Sequence, residues 1–393
     1  MIQKIQADWV HPISSPAQQD SVLIFNENGE ILALEPASVH DPSSVRRVSG
    51  QLVPGFVNTH CHLELSHMLG QVDTGTGLIP FIKSVVTKRG MAAELIQEAI
   101  AKADAYMYEQ GIVAVGDISN VTDTFAQKQV SKMSYYTFVE CFDFLQDAQA
   151  QAEFDKYYSV YTALQTPQGS AKSLVPHAPY SVSPKLFQLI NQANAGQERC
   201  ISIHNQETPP ENELFLTGGG DFPPFYQSFG IDMSGFKANG QPAIHYALAH
   251  LDPAHRTLFV HNSLSTREDI RAAQAWSNKT YWATCANANL YIENRLPNYQ
   301  AFLDTEARVC IGTDSLTSNW QLSVLEELKT IARFQSYVPF ETLLRWATLN
   351  GAQALGFDQR LGSFEQGKQP GINLLTGLDE KGFTSQTQVI KIA

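Results

Sequence analysis

Residues 53–68 read VPGFVNTHCHLELSHM. His60 and His62 stand one residue apart at the end of an apolar run, with His67 beyond them, in a chain that has 11 histidines. In a strand, residues i and i+2 face the same side, so the two imidazoles can aim at one point. Two imidazoles so aimed suggest a metal site. A pair of turn histidines has the same spacing, so the remaining ligands have to come from elsewhere in the chain.

Other apolar runs carry chemistry at the same end. SLVPHAP (173–179) carries His177, CISIHN (200–205) carries His204 with Glu207 three residues on, TLFVHN (257–262) carries His261, and ARVCIGTD (307–314) ends in Asp314. One histidine after a strand is an ordinary turn residue; this regular placement is not. Neutral imidazoles with one carboxylate suit Zn2+, with Fe2+ as the alternative, and leave a position open for water. A divalent cation lowers the pKa of its water to about 7, which supplies a nucleophile at neutral pH. No run ends in a lysine that could be carboxylated to bridge two ions, and Lys172 precedes its run. One ion is therefore expected.

The elements that must position these residues follow from the pattern. Adding LVPGFVNTH (52–60), GIVAVGDI (111–118), SYYTFVEC (134–141) and TYWATC (280–285) makes eight short β-like runs, alternating with helical stretches. Ser183-Pro184 reads as a helix N-cap with proline at the first helical position. Ser265–Glu268 reads as a capping box, and Gly356 as a helix stop after LLRWATLNGAQAL. The alternation predicts an α/β protein, a (β/α)8 TIM barrel, whose chemistry sits at the C-terminal strand ends. An open doubly wound sheet is the competing topology, but no GxGxxG follows the first strand.

Both chain ends have a different texture. IQADWV, SVLIF and a hairpin NENGEILAL turning at Asn28-Gly29 open the chain; RLGSFEQGKQPGINLLTG and TQVIKIA close it. They read as short strands and turns that can pair into one small β domain. The expected division is 1–50 and 357–393 for that domain and 51–356 for the barrel. TGGGDFPPFYQSFG (217–230) lies in a long insert after the fifth strand and reads equally as a lid or as a surface loop.

Composition sets the outer limits. With 43% hydrophobic and 17% charged residues among 393, the chain fits a globular enzyme. A net charge of −12 without any basic run excludes a nucleic-acid binder. Five cysteines, none in CxxC, sit in or beside apolar runs and are expected to be free thiols in a reducing compartment. The N-terminus lacks a signal-like apolar region, and no window approaches a membrane span. A cytoplasmic enzyme with a small-molecule substrate is expected.

Taken with HAPYSVS, HNQE, VHNSLSTREDI, IGTDSLTSN, ATLNGAQALG and LGSFEQGKQPGINLL, the HCH motif resembles the amidohydrolase superfamily. The similarity is to its mononuclear aminohydrolase branch, which deaminates guanine, cytosine and S-adenosylhomocysteine. HCHLELSHM, GTDSLTSN and the segment after HNQE look most like the aminodeoxyfutalosine deaminases. The resemblance implies a barrel with a β-sandwich built from both chain ends. It implies His60, His62, His204 and Asp314 as metal ligands, with Asp314 also accepting a proton from the attacking water. Glu207 would protonate a ring nitrogen and help ammonia leave. His261 would orient the attacking water, His177 would contact substrate, and Glu64 would be a substrate contact unless it is only a charge on the first helix. Family members are often dimers, which makes a homodimer compatible.

The implied activity is hydrolysis of an amidine carbon in an aminated purine-type base or nucleoside, leaving a carbonyl and ammonia. Alternatives are hydrolysis of a cyclic amide, an imine or a C–Cl bond, or a non-catalytic barrel that keeps its metal. Two departures stand out. The family's C-P-x-S-N is here Cys285-Ala286-Asn287-Ala288-Asn289, and G-x-x-A-D-L is replaced by GKQPGINLL.

Overall fold

The computed structural model describes residues 2–393. Its centre is α/β, built on eight parallel strands: β1 (Phe56–Cys61), β2 (Ile112–Ser119), β3 (Ser134–Cys141), β4 (Ala171–Pro176), β5 (Cys200–Asn205), β6 (Arg256–His261), β7 (Thr280–Thr284) and β8 (Val309–Ile311). β1 to β4 form one parallel sheet in chain order and β5 to β8 a second. Every residue of β1, β3, β5 and β7 is buried. That explains their near-continuous apolar sequence: strands covered on both faces need no polar alternation.

Hydrogen bonds join the two sheets at both seams. Between β4 and β5, Ser173 Oγ donates to Cys200 O at 2.7 Å, and His204 N donates to His177 O at 2.9 Å. Between β8 and β1, Asp314 N donates to His60 O at 3.0 Å, and Cys61 bridges Asp314 in parallel register.

The first expected run splits. Residues Gln51–Pro54 leave the central sheets and pair antiparallel with Ile372–Leu375. Gly55 is the break: a Cβ there would sit 2.3 Å from Val113 Cγ1 and 2.6 Å from Pro370 O, so only glycine lets the chain pass. The eighth run shortens to Val309–Ile311 because the chain turns out of the sheet toward Asp314, whose φ is 58°.

Ser183 caps the helix Pro184–Asn194 by accepting from Leu186 N, and Gly356 ends Leu349–Leu355 in a left-handed turn. The capping box lies one residue later than the sequence suggested. Thr266 and Asp269 form it, because the Ser265 hydroxyl is committed elsewhere, donating to Gln206 Oε1 at 2.6 Å.

The chain ends supply two further four-stranded sheets. Ser21–Asn26 and Ile31–Pro36 form the expected hairpin with Gly29 at φ 76°. Ile5, Val10, Leu23 and Phe25 from the first segment share one apolar cluster with Leu52, Phe364, Ile372 and Leu374. All five cysteines are buried and unpaired. Among the described residues no helix is long and apolar enough to cross a membrane.

Candidate metal and catalytic site

The C-terminal strand ends open into a cleft of about 210 Å³. His60 and His62, carried by the end of β1, do meet there: their Nε2 atoms lie 3.2 Å apart. Asp314 Oδ1 is 3.6 Å from His60 Nε2 and 3.4 Å from His62 Nε2. The His204 ring is centred 4.9 Å from that of His60 and 5.5 Å from that of His62. Two overlapping groups, His60–His62–Asp314 and His60–His204–His261, each place their ligand atoms within 4.8 Å of one another. His261 thus stands close enough to be grouped with the ligands. His67 does not join them; its Nε2 sits on Arg89 O at 2.9 Å, on the surface.

The charge states suit a divalent cation. Burial holds His60, His204 and His261 below the usual imidazole range, and takes His62 down to about 3. All four are neutral at pH 7, with lone pairs available. Burial alone would raise the Asp314 carboxyl, but His60, His62 and His261 outweigh it and hold the group well below the carboxylate range. Neutral imidazoles around one ionised carboxylate, all buried and converging, form a donor set for a divalent metal.

Neighbouring groups fix the orientation of these ligands. His204 Nδ1 donates to His177 O at 2.8 Å, which leaves Nε2 for the centre. His261 Nδ1 donates to Asn289 Oδ1 at 2.8 Å, which leaves its Nε2 facing the cleft. Asp314 Oδ2 accepts from Ser318 Oγ at 2.6 Å. His261 and Asp314 both hold left-handed backbone, at φ 71° and 58°. Such strain costs about 1–3 kcal/mol per residue and concentrates at working sites.

Glu207 faces this group, its Oε1 3.6 Å from His261 Nε2. Burial, with Asp314 and Glu293 nearby, raises its carboxyl well above the ordinary range. A carboxyl shifted in that direction is suited to hold and deliver a proton. The segment is held by Glu211, which accepts from Gln206 N at 3.0 Å and Glu207 N at 2.9 Å.

His177 lines the cleft, its Nδ1 on Ser181 Oγ at 2.6 Å. Glu64 does not line it. The Glu64 carboxylate lies behind the wall, accepting from Asn120 N at 3.0 Å and Val121 N at 3.3 Å, with Arg89 at 3.6 Å. Arg89 and Asn120, which hold it, do face the cleft. The insert after β5 is no bare loop: it folds into the helices Pro209–Thr217 and Phe222–Ser228, and Phe225 and Tyr226 form part of the cleft wall.

Two residues at the site escaped the reading of the sequence. Asn289 lies in the altered Cys285–Asn289 segment, and its role depends on where the helix Ala286–Glu293 places it. Glu140, the last residue but one of β3, is 3% exposed and lines the cleft beside His177 and His204. A carboxyl at the end of the otherwise apolar SYYTFVEC obeys the same strand-end rule that picked out the histidines. Asp117 in β2 obeys that rule too but is structural: it forms a fully buried ion pair with Lys128 at 2.6 Å and accepts from Leu63 N.

A model of the amidohydrolase family matches residues 51–391. An adenosine deaminase of Helicobacter pylori is 27% identical over 343 residues, covering 86% of this chain and 82% of its own. An aminodeoxyfutalosine deaminase of Deinococcus radiodurans is 28% identical over 329 residues, covering 79% and 74%. In fold, the chain is similar to the crystal structure of Helicobacter pylori aminofutalosine deaminase in complex with methylthio-coformycin. The TM-score is 0.78 at 23% identity, over 97% of this chain and 93% of that one.

Proposed function

The chain belongs to the amidohydrolase family, and from that premise we propose that it is a metal-dependent hydrolytic deaminase of an aminated purine-type base or nucleoside. The observation that carries this reading is Glu207: a buried carboxyl, its affinity for a proton raised by that burial, 3.6 Å from His261 and facing the cluster of histidines and Asp314. A hydrolase of a cyclic amide or a non-catalytic metal barrel has no use for a second, acidic carboxyl at that position. The deaminases among the relatives point the same way.

In this reading the eight strands close into one (β/α)8 barrel within residues 51–356, starting at Phe56 because Gln51–Pro54 pair with the C-terminal segment, and the hydrogen bonds at both seams support the closure. Residues 1–50 and 357–393 form a β-sandwich, supported by their common apolar cluster. His60, His62, His204 and Asp314 would hold one divalent ion, zinc by the chemistry of this donor set. The ion's contribution when bound is to acidify a water to a pKa of about 7.

The chain's own residues do the rest. Asp314 takes the proton of the attacking water, and His261 Nε2 orients that water toward the amidine carbon. Glu207 gives its proton to the adjacent ring nitrogen, so that the carbon accepts the oxygen without a build-up of negative charge. Asp314 then passes its proton to the exocyclic nitrogen while the new hydroxyl gives its proton to the ionised Glu207; the C–N bond breaks, ammonia leaves and a carbonyl remains. Glu64 acts from behind the wall, by holding Asn120 and Arg89 in place.

Ammonia release from the zinc-loaded protein tests the proposal. The panel is adenosine, methylthioadenosine, aminodeoxyfutalosine, S-adenosylhomocysteine, guanine and cytosine. Efficient release from a purine nucleoside is the expected result; silence across the panel with zinc bound would reject it. A second expectation concerns Asn289→Ala, which removes the acceptor that orients His261. Turnover should fall about 10- to 100-fold with zinc content kept, as for other partners that orient a site histidine. Unchanged kcat would show that His261 needs no such hold.

A further inference from the structure

The cleft has a polar feature that the chemistry at Glu207 does not use. Glu140 is 3% exposed. Its Oε2 accepts from Asn120 Nδ2 at 3.1 Å, and the same amide group donates to Glu140 O at 3.2 Å. Its Oε1 is buried and has no hydrogen-bond partner among the described residues. His204 Nδ1 lies 3.4 Å from it, but that proton already goes to His177 O at 2.8 Å, and a His177 ring nitrogen also lies within 4.8 Å of the carboxyl. Arg89, the cation on this wall, is turned to Glu64. A buried carboxyl oxygen without a hydrogen-bond donor is costly, and a ligand donor would complete it.

Its position says which part of a ligand that would be. Glu140 is carried by β3 and Asn120 follows β2, whereas Glu207 and His261 come from β5 and β6. With the amidine between Glu207 and the histidine cluster, a substituent on the base can reach Asn120, Glu140, Phe142 and Phe144, all of which line the same cleft. We propose that Glu140, set by Asn120, is a subsite for a hydroxyl of the sugar attached to the base, so that the enzyme selects a nucleoside over a free base. A hydroxyl donates and accepts, which suits a carboxyl oxygen with no other partner. This rests on the deaminase reading above.

The test is a cycle between protein and ligand. Adenosine and methylthioadenosine are compared with their 2′-deoxy and 3′-deoxy counterparts, on the zinc-loaded parent and on Glu140→Gln. In the parent, loss of one hydroxyl should lower kcat/KM about 10- to 100-fold. In Glu140→Gln the complete nucleosides should fall by a similar factor, and that hydroxyl should no longer matter. Asn120→Ala, which releases Oε2, should weaken the same dependence if Glu140→Gln proves unstable. Equal hydroxyl dependence in parent and variants overturns the proposal. So does a uniform loss on every substrate together with lost zinc, which would make Glu140 a support for His204. If the parent turns over none of these compounds, calorimetric binding completes the same cycle. Hydroxyl-dependent binding that Glu140→Gln removes would keep the subsite while the deaminase reading fails; no binding of any nucleoside would overturn the subsite.

Discussion

Glu207→Gln is expected to lose turnover by about 10³-fold, within the range that a positioned proton donor contributes, while zinc content and melting temperature stay at the parent's values. The side chain keeps its shape and its place 3.6 Å from His261 Nε2, and its backbone remains tied to Glu211. Burial raises the native carboxyl well above the ordinary range, and the amide matches the shape and charge of the acid form that donates the proton. What disappears is the acidic proton. An amide cannot protonate a ring nitrogen at neutral pH, and the leaving nitrogen then has to depart as a poor leaving group. The measurements are kcat on the best nucleoside, zinc stoichiometry and thermal melting. Unchanged turnover would remove Glu207 from the chemistry and favour a hydrolysis that needs no such acid. Lost zinc would make it a ligand.

How much of this was legible in the sequence depended on whether a local rule sufficed. The strand-end histidines and Asp314 were legible because a buried parallel strand exposes polar groups only where it stops. β3 and β5 were legible to the residue, since continuous apolar runs bounded by polar turns leave little freedom. Gly55 was not, because its role comes from Val113 and Pro370 pressing on it from distant parts of the chain. The register of the capping box failed for a similar reason. Ser265 and Thr266 both satisfy the local rule, and a hydrogen bond to Gln206, 59 residues away, decides between them.

The same distinction separates Glu64 from Glu140. Glu64 was picked for its place beside the HCH motif, yet backbone N–H groups of Asn120 and Val121 draw its carboxylate behind the wall. Glu140 lies 79 residues from Cys61 in sequence and reaches the cleft only because β3 lies two strands from β1 in the same sheet. The altered Cys285–Asn289 segment looked like a threat to the pocket. Its final asparagine nevertheless holds His261 at 2.8 Å, while Asn287 N turns away to Glu327. Loss of the expected proline and serine thus leaves the orienting contact in place.

Asp314→Asn should damage both functions of the site at once. The native carboxylate offers Oδ1 to the centre, 3.6 and 3.4 Å from the Nε2 atoms of His60 and His62, and Oδ2 to the Ser318 hydroxyl at 2.6 Å. His60, His62 and His261 hold it ionised against the pull of burial, so it is the one negative charge among neutral imidazoles. The amide has no charge to set against a cation and no basicity to take a proton from water. Whichever way it flips, one of its two contacts meets the NH2 group where an oxygen stood. Turnover is expected to fall about 10³-fold or more. Zinc affinity should fall as well, and that has a readout independent of turnover. A ligand that binds only the folded state stabilises it by RT ln(1 + [L]/Kd), so saturating zinc should raise the melting temperature of the metal-stripped parent much more than that of Asp314→Asn. Chelation should abolish parental activity reversibly. An Asp314→Asn protein that kept both the parental zinc-dependent melting shift and parental turnover would show that the metal is held elsewhere, and the assignment of His60, His62 and His204 as its other ligands would fall with it.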